Sequence, residues 1–234
     1  MSFPTKPDYF GLGANAALAL KNSSRNKSAS TAEAQNEIGD AVAMEVFGEQ
    51  SAPSVTYELI ADLLLSTIKL GAVTTVDSKP FVLTSVSWNT APGTVPELQC
   101  GGEQVEANAT TANSTTIALP ALSLKRWHDA QILGKAFALT GDGCYVNGCN
   151  YTASADVSKA TVGGEIVAHD IQNGRIEVSV TIVQTGDVSP TIAAGTEWEI
   201  VSPLTVDNPD EDYPTWTATL RMHLTSAHPE ASNS

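Results

Sequence analysis

From Arg175 to Ile182 the chain switches strictly between polar and apolar residues. In RIEVSVTIVQT, Ile176, Val178, Val180 and Ile182 fall on one side of an extended segment, with Arg175, Glu177, Ser179 and Thr181 on the other. Strand side chains point alternately to two faces, so this segment has one core face and one polar face. The last apolar run does the same: Trp216, Ala218, Leu220, Met222 and Leu224 interleave with Thr215, Thr217, Thr219, Arg221 and His223. Further runs lie between Gly, Pro, Asn and Asp clusters, at about 41–47, 55–60, 64–70, 81–88, 115–119, 135–140 and 196–201. The pattern predicts a mainly β fold, an antiparallel β-sandwich or barrel, with no fixed internal repeat.

Two local signals refine this. Asn173-Gly174, between EIVAHDI and RIEVSVTIVQT, reads as the type I′ turn of a hairpin. Pro120 opens ALSLKRWHDAQIL, where Leu124, Trp127, Ala130 and Leu133 fall at helical spacing and Gly134 stands at the C-terminal cap position. One short amphipathic helix is expected there. Its polar face would carry Lys125, Arg126 and His128, a candidate interface.

Charge divides the chain. The 234 residues hold 26 acids and 12 Lys+Arg, a formal −14, and only 16% are charged. Residues 1–27 have Lys6, Lys21, Arg25 and Lys27 against Asp8, or +3, leaving eight cations and twenty-five acids, −17, from 28 to 234. Residues 22–35, NSSRNKSASTAEAQ, show no apolar stripe. The organisation expected is a flexible, polar, cationic N-terminal arm over 1–35 and one β-sandwich domain over 36–234; two small sandwiches are the alternative. Lys21, Arg25 and Lys27 are candidates for docking the arm on a neighbouring copy, and the acidic run Asp207, Asp210, Glu211 and Asp212 is the natural acceptor. A solvated terminus and a solvated loop are the plainer readings.

The acidic balance argues against general nucleic-acid binding, which needs cations to neutralise phosphates, and against anionic membrane surfaces. Apolar clusters such as Leu63 to Leu65 fall far short of the ~20 residues of a membrane-spanning helix. The first twenty residues lack the order of a secretory signal, so a cytoplasmic chain with reduced cysteines is expected.

No enzyme is expected. Cys144 or Cys149, with His128-Asp129 or His169-Asp170, is the nearest approach to a nucleophile and base, and no family signature surrounds them. Zinc would need about four Cys or His ligands in close pairs, whereas Cys144 and Cys149 offer one C-x4-C. The acidic run lacks a calcium-loop frame, and no phosphate-binding loop occurs. No cofactor is expected. Cys144 and Cys149 are a possible disulfide, with free thiols as the alternative. Five Asn-x-Ser/Thr sequons, from Asn22 to Asn150, are accounted for by a composition rich in Ser, Thr and Asn.

The order of features resembles the tail tube (major tail) proteins of long-tailed bacteriophages, above all in QNEIGDAVAMEVFGEQSAPSVTYEL and the following VSWNTAPGTVPELQCGGEQVE. The likeness runs from about Asn36 to Leu224. It implies a structural virion protein that forms stacked hexameric rings, with sheets joined edge to edge around a channel for the genome and arms linking ring to ring. Its partners would be further copies of itself and the tape measure, terminator and distal tail proteins, and DNA would pass during ejection without specific binding. It would lie in the virion tail, and in the host cytoplasm during assembly. Glu177, Ser179 and Thr181 are then candidate lumen residues, although that polar face equally suits the outside. A capsid decoration protein and a carbohydrate-binding or adhesin module, using Trp88, Trp198 or Trp216, are the alternatives.

Overall fold

A computed structural model describes residues 6–35, 41–90, 93–105, 116–121, 123–124, 137–162, 165–208 and 213–224. For 30–35, 41–49, 90, 161–162 and 165–169 it describes the backbone alone. The strands, in chain order, are β1 Leu18–Gln35, β2 Ala41–Leu59, β3 Leu63–Leu64, β4 Lys69–Leu70, β5 Val73–Val76, β6 Lys79–Thr90, β7 Glu97–Gln104, β8 Ile117–Ala118, β9 Ser123–Leu124, β10 Phe137–Thr140, β11 Cys144–Val162, β12 Glu165–Gln184, β13 Thr191–Ala194, β14 Glu199–Val206 and β15 Thr215–His223. The chain is mainly β, every strand pair among the described residues is antiparallel, and a β-sandwich description fits.

One nine-stranded sheet dominates, in the order β1-β2-β7-β6-β11-β12-β15-β14, with β5 beside β6; it is open, not a closed barrel. One face is apolar and buried: Tyr57 on β2, Leu98 on β7, Val86 and Trp88 on β6, Tyr151 on β11, Val178 and Val180 on β12 and Leu220 on β15. Segments 63–70 and 117–124 run antiparallel to each other, with Leu63 opposite Leu124 and Leu70 opposite Ile117, and their buried leucines and isoleucines belong to the same core. The alternation in β12 and β15 therefore divides core from surface as the sequence predicts.

The N-terminal expectation is overturned. Residues 18–35 are not an arm ending before Asn36 but β1, paired with β2 from Leu18↔Leu59 to Gln35↔Ala41. Ahead of β1, Tyr9 and Phe10 are buried, and Tyr9 meets Phe81 edge to face at 4.9 Å. A polar sequence suffices for β1 because an edge strand needs backbone partners on one side, which β2 supplies.

The expected hairpin turn at Asn173-Gly174 is absent too. β12 runs through it, and β11 pairs on both sides, Ser154↔Arg175 and Asp156↔Gln172. Two residues of β12 thus face Ala155 alone, which is a β-bulge. Asn173 takes φ 54° and its amide donates to Asp156 Oδ2 at 3.1 Å. Only one of the two positions has positive φ, whereas a type I′ turn needs both.

Of the helix expected after Pro120, Ser123 and Leu124 are instead strand β9, with Leu124 buried against the core. Residues 125–136, with Lys125, Arg126, Trp127 and His128, lie outside the described residues. Elsewhere 41–47 and 55–60 join in β2, a 3-10 turn at Leu65–Thr67 divides 64–70, and the strand expected at 196–201 begins at Glu199.

Both long hairpins outrun the sheet at the same end. Among the described residues, past Ser54↔Gly101 β1 and β2 pair only with each other, and past Ser154↔Ser85 β11 and β12 do the same. There β5 takes the place beside β6 that β11 would otherwise fill. The opposite end carries the loops around 141–143 and 185–190, together with residues 207–208 and 213–214.

Candidate functional site

The face of the sheet turned away from the core is polar across eight strands. Its register gives the row Asn22, Thr56, Gln99, Ser87, Thr152, Glu177, Arg221, Glu199, one residue per strand from β1 to β14. A second row runs Ser24, Ser54, Gly101, Ser85, Ser154, Arg175, His223 from β1 to β15. A third, Asn150, Ser179, Thr219, Ser202, and a fourth, Gly148, Thr181, Thr217, Thr205, continue it over β11 to β14. Apart from two glycines, every one of these positions is polar. At about 4.8 Å between strands the face is roughly 34 Å wide.

Glu177, Ser179 and Thr181, the candidate lumen residues, sit together on this face. The residues that complete it on β7, β6 and β11 escaped sequence reading. Their signal was the alternation itself: Gln99 between Leu98 and Cys100, or Thr152 between Tyr151 and Ala153, polar between buried. Gly and Asn clusters in CYVNGCN and the glycine pair in ELQCGGEQ hid it.

Charges on the face are largely paired. Arg221 contacts Glu177 Oε1 at 2.7 Å and Glu199 Oε1 at 3.6 Å, and Lys21 pairs with Glu97. The hydrogen bond and charge of Glu97 hold the Lys21 ammonium above its ordinary pKa. A groove of about 510 Å³ crosses the face, lined by Asn89, Glu97, Gln99, Asn150 and Thr152. Amides, hydroxyls and one ion-paired carboxylate offer hydrogen bonds to water or to a neutral polar chain.

The other candidates are dispersed. Lys21 is held by Glu97; Arg25 lies 5.9 Å from the Tyr9 ring centroid and 6.0 Å from that of Phe81; Lys27 is exposed, with no such contact among the described residues. Asp207 is exposed, its backbone N–H donating to Thr215 O at 2.8 Å, while Asp210, Glu211 and Asp212 lie outside the described residues.

Cys144 and Cys149 do not form the possible disulfide. Both are free on β11, five residues apart, which is roughly 16 Å of strand against the 7 Å a bridge tolerates. Burial pushes the Cys149 thiol up to about 12, so it is no ready nucleophile. His169 pairs with Lys159, and Cys149 with Val180, so eleven residues of β12, roughly 36 Å, separate them. His128 and Asp129 lie outside the described residues.

The aromatic candidates for carbohydrate are buried or partly buried. Trp88 is buried and stacked on Tyr151 with centroids 5.1 Å apart, and Trp216 donates its indole N–H to Gln184 Oε1 at 2.9 Å. Trp198 packs partly buried against the core. None of the three is an open stacking platform.

No protein-family model matches the sequence, and no curated protein matches it. Among the described residues no group of three or more His, Cys, Asp or Glu is placed to hold a metal, and no helix is long and apolar enough to cross a membrane.

Proposed function

We propose that this chain is a structural virion subunit that self-assembles into stacked, hexameric rings forming the tail tube of a long-tailed phage. The observation that carries the reading is the eight-stranded polar face combined with two open sheet edges. Among the described residues, β1 and β14 each have a strand on one side only. Unpaired strand edges attract other strands. At β14 the apolar layer also runs out: Ile200 and Val206, opposite Leu220 and Trp216, are 43% and 36% exposed. A neighbouring copy laid edge to edge would cover them and extend the polar face around a closed wall.

Such a wall suits the passage of DNA. Binding to a duplex draws on counterion release by unpaired cations, and the cations of this face are largely committed to carboxylates. The channel we propose is therefore chiefly hydroxyl and amide, with net acidity coming from the body as a whole. Further tail components, namely tape measure, terminator and distal tail proteins, are the expected partners, and Lys125, Arg126 and His128 would add a cationic contact. Negative-stain imaging of the purified protein tests the reading. Six-fold rings or hollow tubes are expected; a chain that stays monomeric at high concentration and beside other tail components would overturn it.

A further inference from the structure

The −14 chain collects cations in one cleft. At the end of the sheet where the two hairpins outrun their partners, two adjoining cavities of about 140 and 170 Å³ share Lys27, Gln50, Ser51 and Gln104. Lys159 lines the first and Lys79 the second. Lys159 is paired with Glu103. Lys27 and Lys79 have no acidic partner among the described residues. Ser51 is 5% exposed, and its hydroxyl, buried beneath the cleft, has no hydrogen-bond partner among them either. Two uncommitted ammonium groups beside an unpaired buried hydroxyl make a site for an anionic oxygen group, and each cavity accommodates a carboxylate.

The opposite end of the sheet offers carboxylates. Asp142, Asp187 and Asp207 are exposed there and have no cationic partner among the described residues. The first two stand on loops that clasp each other: the N–H of Thr185 donates to Gly143 O at 2.7 Å, and a Cβ on Gly186 would come within 2.3 Å of Asp142 O. Tyr145, Val188 and Tyr213 are also exposed at this end, at 63%, 56% and 59%. One end is thus a lysine cleft and the other an acidic rim with apolar side chains, a pairing that joins head to tail.

We propose that the Lys27–Lys79 cleft binds aspartate carboxylates from the opposite end of a second copy, and that this contact sets the stacking of one ring on the next. The inference rests on the self-assembly reading and adds which surfaces meet along the stack. Contacts between exposed charges weaken with salt, so stacking should weaken as ionic strength rises.

The test is a charge swap in the full chain. A K27E/K79E variant and a D142K/D187K/D207K variant are each followed by sedimentation and negative stain, with cooperative thermal unfolding as the check on folding. Each variant alone should give at least a tenfold loss of sedimenting tubes while retaining single rings. Mixing the two should restore tubes, since each then meets its complement. If K27E/K79E does not fold, K27Q/K79Q replaces it, with the same loss of tubes expected. Tubes formed by K27E/K79E as readily as by wild type would overturn the inference and leave the ring reading standing. Mixed variants that do not stack would overturn it too, as would Lys27- and Lys79-dependent retention of duplex DNA with stacking unaffected. A wild-type chain that never forms rings would overturn both.

Discussion

Asp8 organises the N-terminus through one carboxylate. It accepts the backbone N–H groups of Phe10, Gly11 and Gly13, at 3.3, 2.9 and 2.7 Å, and the hydroxyl of Tyr57. Tyr9 and Phe10 are thereby fixed in the core, and Phe10 lies so close to β7 that a Cβ on Gly102 would be 2.6 Å from its ring. Asp8→Ala leaves the Tyr57 hydroxyl without this acceptor and should lower unfolding stability by about 1–3 kcal/mol in a urea titration, with Asp8→Asn milder. Burial sets a second residue-scale property. It raises the pKa values of Tyr57, foremost by desolvation and then by Asp8, and of the Cys100 and Cys149 thiols. The native state then holds protons that the unfolded chain releases from about pH 8.5–10. Stability should be fully present below that range and fall as pH rises toward about 12, where Cys149 titrates. Urea midpoints between pH 8 and 12 measure this, and Cys149→Ala should flatten the decline. None of these contacts was legible in the sequence, because Asp8 and Tyr57 are joined only by the path of the sheet.

At the scale of elements, alternation was readable wherever one strand face meets the core without interruption. β12 after Arg175 and β15 fall where the sequence puts them, with their faces the right way round. Reading failed where local chemistry had two uses. Asn-Gly makes a turn or a bulge, and the choice depends on whether β11 continues alongside, which no local window contains. Asn173→Gly should be near neutral, whereas Asn173→Val should cost about 1–2 kcal/mol in denaturant titration, because a β-branched residue resists φ 54°. Failure of Val to destabilise would remove the bulge. β1 was unreadable for a different reason: beyond Leu20 its residues are polar or small and show no apolar alternation, and β2 is the partner that makes it a strand.

For the whole molecule, the correction at β1 changes what the terminus does. Residues 1–35 contribute Tyr9, Phe10, Ala17 and Leu18 to the core and an edge strand to the sheet, so their removal would damage the body and not simply free it of an arm. The candidate site was legible in part. Three residues of β12 pointed to a polar face, but its eight-strand extent follows from registers between β7, β6 and β11 that only the fold supplies. The charge reading shifted as well: excess acid belongs to the body, while the face itself is hydroxyl, amide and paired ions. The most direct measurement is access to that face in the assembled state, using Ser179→Cys in a Cys144→Ser background, where the two remaining native thiols are buried. A bulky maleimide should label Cys at position 179 in dissociated protein and leave it unlabelled along intact tubes, where the face is enclosed. Equal labelling in both states would place the face outside and contradict the account.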